Sequence, residues 1–151
     1  MGNTNNEFLR HTLATIAYRF QKSVSSSADE FGCFNLGHGS RTPLEIVNHI
    51  YEVLKATREF ILDTKDNKVQ PENLSFIQEV ERFNTELEKF DIVLIEKNLD
   101  TEYAKRLIQG PLSDILTHVG QIAMMSRLYG KPLAKERFAS APITVGTLSY
   151  F

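Results

Sequence analysis

The chain has 151 residues, of which 42% are hydrophobic and 24% are charged, so we expect one folded domain over residues 1–151 and no intrinsic disorder. Its 17 Lys and Arg residues nearly balance 19 Asp and Glu residues, and the net charge of −2 argues against a nucleic-acid partner. No apolar run approaches the ~18 residues of a membrane span, and the N-terminal sequence lacks the layout of a signal peptide. We therefore expect a cytoplasmic protein without a membrane partner.

Hydrophobic residues recur at helical spacing in four segments, and no segment shows a persuasive strand alternation. This pattern predicts an all-α protein, a four-helix bundle. In the first predicted helix, residues 5–24, His11 projects from the side opposite to the apolar stripe, so we expect it on the surface. That stripe consists of Leu9, Leu13, Ile16, Ala17, Phe20 and Val24.

Residues 25–41 contain three glycines and many small polar residues, which predicts a long irregular first loop. His38 lies between two of these glycines, where it either reaches a site or stays solvated, and we favour solvation. The single cysteine, Cys33, excludes an internal disulfide and a multi-thiolate metal site. We interpret Cys33 as a half-buried small apolar residue, with a nucleophile as the alternative.

The second predicted helix begins with a clear signal. Thr42 suits the N-cap, Pro43 suits the first helical position, and Glu45 stands where a capping box needs it. His49 lies at the edge of the apolar stripe of this helix, between its buried and its polar arcs. The stripe consists of Ile46, Val47, Ile50, Val53, Leu54, Thr57 and Ile61.

A third helix is predicted over residues 71–97, with its apolar face followed by a charged remainder that we expect to be solvated. The apolar face consists of Phe76, Val80, Phe83, Leu87, Phe90 and Leu94, and the charged remainder includes Glu79, Glu81, Glu86 and Glu88.

The fourth predicted helix starts at Thr101 or at Gly110 and ends at Tyr129, before a glycine and a proline. Gly110 and Pro111 are expected to break or kink its first turns. The residues after Pro132 show no convincing period, so we predict an extended C-terminal tail that lies on the bundle.

The fourth predicted helix carries a second stripe beside its apolar face, formed by Asp114, His118, Gln121 and Met125. Asp114 and His118 are four residues apart and therefore point the same way. If His49 of the second helix faces them, two imidazoles and one carboxylate form a site for zinc, nickel or iron with positions left open. The alternative is a histidine–carboxylate pair without a metal.

Residues 41–50 (RTPLEIVNHI) and 110–132 (GPLSDILTHVGQIAMMSRLYGKP) resemble the DinB/YfiT-like superfamily of metal-dependent enzymes. The resemblance covers essentially the whole chain and implies a four-helix bundle with a long crossover. Members place one metal-binding histidine on the second helix and an HxxxH pair before a Gly-Gln step on a later helix. His49 and His118 match this pattern, whereas Asp114 replaces the first histidine of the pair. The resemblance thus implies either a carboxylate ligand or a lost metal, and we favour a retained site.

The resemblance further implies a hydrolase or a thiol-dependent transferase that acts on a small molecule, with a low-molecular-weight thiol as one candidate partner. The ion would activate a water or a thiol. Glu52 and Gln121, one turn beyond His49 and His118, are candidates for proton transfer or for supporting the ligands. The alternative hypothesis is a non-catalytic bundle that acts as a binding or homodimerisation module through exposed apolar residues, such as Met124 and the C-terminal Tyr150 and Phe151.

Overall fold

The computed structural model describes residues 3–151, and this part of the chain is helical and contains no strand. The helices α1 and α2 each pack against both α3 and α5, an arrangement compatible with the predicted four-helix bundle. Within the same residues, no helix combines the length and the apolarity that crossing a membrane requires. The helices are α1 (Thr4–Val24), α2 (Pro43–Leu62), α3 (Phe76–Glu96), the short α4 (Thr101–Leu107) and α5 (Ser113–Leu128).

A single cluster of aliphatic and aromatic side chains, most of them from the four long helices, forms the core. The rings of Phe20 and Phe83 meet edge to face with their centroids 4.6 Å apart, which joins α1 to α3. The predicted apolar stripes supply most of this cluster. Its fully buried members include Leu9, Leu13, Ile16, Phe20, Ile46, Ile50, Leu54, Phe83, Leu87, Phe90, Leu94, Ile115 and Ile122.

The predicted capping box at the start of α2 is confirmed. The backbone N–H of Glu45 donates to the Thr42 hydroxyl, and the Glu45 carboxylate accepts from the Thr42 N–H at 3.1 Å. Pro43 occupies the first turn, where its missing N–H costs nothing. These interactions fix the start of α2 about two turns before His49.

The third helix begins later than predicted, at Phe76 rather than near residue 71. Asn73 adopts a left-handed backbone with φ of 56°, which is incompatible with a right-handed helix there. Ser75 then caps α3 in a second capping box with Gln78.

The predicted break at Gly110 and Pro111 is confirmed as a π turn, Ile108–Leu112, between α4 and α5. Pro111 has no N–H to donate to the preceding turn, and the N–H of Ser113 donates to the carbonyl of Ile108, five residues earlier. The π turn absorbs one extra residue, so that Leu107 and Leu112 are both buried despite their spacing of five.

The first loop is less irregular than predicted, because residues Asp29–Cys33 form a short 3₁₀ turn. This turn inserts Phe31 into the core, where its ring contacts Phe76 and Tyr129. Gly32 faces Phe76 so closely that a Cβ on it would lie 2.7 Å from the Phe76 Cβ. Cys33 is consequently turned outward and is exposed, so its interpretation as a half-buried residue was wrong.

The predictions for two surface histidines and for the tail are confirmed. His11 and His38 are both exposed. The tail lies on α1, where Gln21 donates to the carbonyl of Leu148 at 2.7 Å and accepts from the N–H of Tyr150 at 2.9 Å. The ring of Tyr18 packs against Phe138, Tyr150 and Phe151.

Two glutamates of α3 that we expected to be solvated are buried. Glu79 is 5% exposed and Glu86 is 2% exposed. Each is paired with an arginine, Glu86 with Arg58 of α2 and Glu79 with Arg82. Arg82 also lies over the ring of Tyr51, 4.0 Å from its centroid. Part of the polar side of α3 therefore packs against α2. Helix periodicity alone does not show that α2 supplies the partners of these polar residues.

Replacing Arg58 by Met leaves the Glu86 carboxylate buried without a counter-charge, so we expect the free energy of unfolding to fall by about 3–5 kcal/mol. Urea denaturation measures this change. The exposed pair of Lys105 and Glu102 provides the control, because Lys105→Ala should change stability by no more than about 0.5 kcal/mol.

The double variant Arg58→Met with Glu86→Leu should recover most of the lost stability, since it removes both charges together. An Arg58→Met chain as stable as Lys105→Ala would show that the buried pair contributes nothing.

Candidate metal centre

His49, Asp114 and His118 converge at the contact between α2 and α5. One ligand atom from each residue lies within 4.8 Å of the others. Ligands at 2.0–2.1 Å from a tetrahedral ion are about 3.3 Å apart, and Nε2 of His49 already lies 3.2 Å from Oδ2 of Asp114. The residues that the spacing and the helix projections predicted to meet are therefore brought together.

Local helix geometry places each of these side chains. Asp114 and His118 are one turn apart on α5 and share a face. His49 lies on α2 beside the fully buried Ile50, at the edge of the core, as the helix projection predicted. Because α2 packs against α5, the edges of their two apolar faces meet and the three polar heads share one location.

The hydrogen bonds of His118 define its tautomer. Its Nδ1 lies 2.7 Å from the backbone carbonyl oxygen of Asp114, which can only accept, so Nδ1 carries the proton. The guanidinium Nη1 of Arg41 lies 3.3 Å from Nε2 and can only donate, so Nε2 presents its lone pair. A neutral imidazole oriented through its second nitrogen is the state in which histidine binds metals.

Asp114 joins the two histidines. Its Oδ2 lies 3.2 Å from Nε2 of His49, and its Oδ1 lies 3.5 Å from Nδ1 of His118. The two imidazole rings are tilted at 50° with their centroids 4.6 Å apart. The carboxylate and both rings thus form one contiguous polar group at the edge of an apolar core.

The three side chains differ in exposure, at 10% for His118, 29% for His49 and 42% for Asp114. Asp114 lines an open hollow of about 650 Å³ next to the π turn. His49 lines a second hollow of about 490 Å³ that also contains Arg41 and Glu52. The cluster is therefore held on one side by the core and accessible to small molecules on the other.

Arg41 is the site residue that the sequence did not reveal. It is the last residue before the N-cap Thr42 and is exposed. Its neighbour Glu45 accepts hydrogen bonds from the backbone and the side chain of Thr42, and these bonds, with the charge of Arg41, lower the pKa of the Glu45 carboxyl. Glu45 is therefore ionised and bound to Thr42.

The two candidates for supporting roles, Glu52 and Gln121, are both exposed. Among residues 3–151, no hydrogen bond connects either side chain with the three clustered residues. Glu52 shares the hollow of His49, whereas Met125, grouped with Gln121 in the predicted stripe, is buried in the core.

Comparisons of the chain with protein-family models, with curated proteins and with solved structures give no match.

The donor set suits a divalent ion of intermediate softness. Two imidazole nitrogens and one carboxylate oxygen are common ligands of zinc, nickel and ferrous iron. Three protein ligands leave at least one coordination position open, which is the arrangement of catalytic rather than structural zinc sites.

The hydrogen bonds of His118 predict that its imidazole is protonated at Nδ1, the less common tautomer for an exposed histidine. Long-range ¹⁵N–¹H correlation spectra of the metal-free protein, recorded above the pH range in which free imidazole titrates, distinguish the two ring nitrogens. The exposed His38 is the internal control and should show the ordinary Nε2-protonated form in excess. An Nε2-protonated His118 would contradict the arrangement.

Proposed function

We propose that this chain binds one divalent metal ion through His49, Asp114 and His118 and uses it to act on a small molecule. The observation that carries the proposal is the convergence of the three ligand atoms, from two separate helices, within 4.8 Å of one another. Zinc, nickel and iron are the candidate ions. The resemblance to the DinB/YfiT-like superfamily supports the same conclusion, and we propose membership on the residues that match it.

In this proposal, each residue of the cluster has a distinct role. His118 binds through Nε2, because Nδ1 is committed to the carbonyl of Asp114. The Asp114 carboxylate supplies the negative charge of the set and lies between the two rings. The core beside His49 and His118 limits their motion, which preorganises the site.

A bound divalent ion supplies Lewis acidity, which activates a water or a thiol for attack on the substrate. The partial exposure of His49 and Asp114 leaves room for that second reactant on the open side. Hydrolysis and thiol transfer both fit these features. Glu52 stays a candidate proton-transfer residue because it lies on the hollow of His49.

Elemental analysis of protein purified without a polyhistidine tag, after loading with zinc or nickel, tests the proposal. We expect about one ion per chain. His49→Ala and His118→Ala should each weaken binding by at least about tenfold, since even groups that only support a ligand change metal affinity by about 10–100-fold.

The control variants are His11→Ala and His38→Ala, which remove exposed histidines from elsewhere on the surface and should leave the metal content unchanged. Sub-stoichiometric metal in the parent protein would contradict the proposal. Equal losses in the control and the site variants would also contradict it, because the metal would then be held unspecifically.

A second candidate function is a metal-free binding or homodimerisation module. It is favoured by exposed apolar side chains at the C-terminal end of α5, where Met124 is 55% and Leu128 is 57% exposed. Of the two aromatic residues predicted to join such a surface, Phe151 is 62% exposed, whereas Tyr150 is half-buried against the core. Absence of metal binding combined with a dimer in solution would support this candidate.

A further inference from the structure

We propose that Arg41 is the residue that recognises the substrate, by binding a carboxylate group of that substrate beside the metal ion. This inference rests on the proposed function and adds the chemical class of the substrate to it.

The lone pair on His118 Nε2 is engaged by Arg41 in this structure. The Nη1 of Arg41, 3.3 Å away, donates to this nitrogen. One imidazole lone pair cannot both accept an N–H and bind a cation, so an ion at Nε2 requires Arg41 to move away. Arg41 is an exposed side chain at the end of a loop, and its long stem permits this movement.

Once it has moved, the Arg41 guanidinium has no ion-pair partner in the described structure. Within residues 3–151, no acidic side chain lies within 4.0 Å of its guanidinium. The nearby Glu45 accepts two hydrogen bonds from Thr42 at its Oε1, and its charge acts on Arg41 only from beyond 4.0 Å. A guanidinium with five donors and no carboxylate at ion-pair distance, next to an open metal position, is a ready binding group for an anion.

The shape of the guanidinium points to the same ligand class. A divalent ion and Arg41 together would carry three positive charges, and Asp114, Glu45 and Glu52 carry three negative charges. The site as a whole is therefore close to neutral, and the preference for an anion comes from Arg41 itself. Arginine binds carboxylates with two parallel hydrogen bonds, which fixes the orientation of the bound group as well as its charge.

The lining of the hollow narrows the class to a singly charged anion. Glu45 and Glu52 line the same hollow as Arg41 and His49, and their charges oppose a dianion such as phosphate. Leu44 and Leu74 add apolar surface to this hollow of about 490 Å³. A small carboxylic acid with an aliphatic part therefore fits it best.

The test uses cobalt(II) as a coloured probe ion, with acetate as the ligand and acetamide as its neutral counterpart of the same shape. Visible spectra of cobalt-loaded parent, Arg41→Gln and Arg41→Lys proteins report acetate binding. We expect acetate to bind at least about tenfold more weakly to Arg41→Gln, with Arg41→Lys in between, and acetamide to show no such difference.

Arg127→Gln is the matched control, because it removes an exposed arginine of α5 that lies outside both hollows. Its acetate affinity should equal that of the parent protein. Arg41→Gln should also bind cobalt more tightly than the parent, because the Nε2 of His118 is freed.

Equal acetate affinities in the parent and Arg41→Gln, both loaded with cobalt, would overturn this inference and leave the proposed function intact. Unchanged cobalt affinity in Arg41→Gln would likewise overturn it, since Arg41 would then not compete for Nε2. Failure of the parent protein to bind cobalt would overturn the proposed function and, with it, this inference.

Discussion

The candidate metal centre depends on one packing constraint, the contact between α2 and α5. Each helix carries its histidine at the edge of its apolar face rather than in the middle. Burying both apolar faces in one core therefore brings the two edges together and aligns His49 with His118 at the surface of the core. The hydrophobic effect thus supplies the free energy that brings polar groups from distant parts of the sequence into contact.

Two further features fix the positions of these helices along their axes. The capping box at Thr42 sets the first residue of α2, and the π turn sets the register in which α5 leaves α4. Asp114 is the second residue after that turn, so the candidate ligand and the irregular backbone are neighbours. π turns are frequently found at functional sites, and here the turn places a carboxylate at the mouth of an open hollow.

The parts of this structure that are local in sequence were predictable. The two residues of the capping box are three positions apart, and Asp114 and His118 are four positions apart. Periodicity and spacing were therefore sufficient to predict both contacts. The contact of this pair with His49 could be predicted because His49 and His118 both lie at the edge of the apolar face of their helix. The late start of α3 was missed because the left-handed backbone at Asn73 leaves little signal in the sequence.

Features that depend on the path of the chain were not predictable in the same way. Glu86 is buried because Arg58 of another helix reaches it, and a helix projection shows only that Glu86 is polar. Arg41 at the end of the first loop contacts His118 of α5, a residue 77 positions further along the chain. Predicting long-range polar pairs of this kind requires the tertiary fold, because the sequence around each residue does not indicate which residue it will contact.

The π turn also bears on how this chain can change over evolutionary time. The turn contains one residue more than an ordinary helical turn. Losing Pro111 from it would leave a plain helical turn in which Leu107 and Leu112 still face inward. A deletion at another point of α5 would instead rotate every later side chain by about 100° and misdirect the apolar face. Length variation among descendants of this sequence is therefore expected to concentrate at that turn.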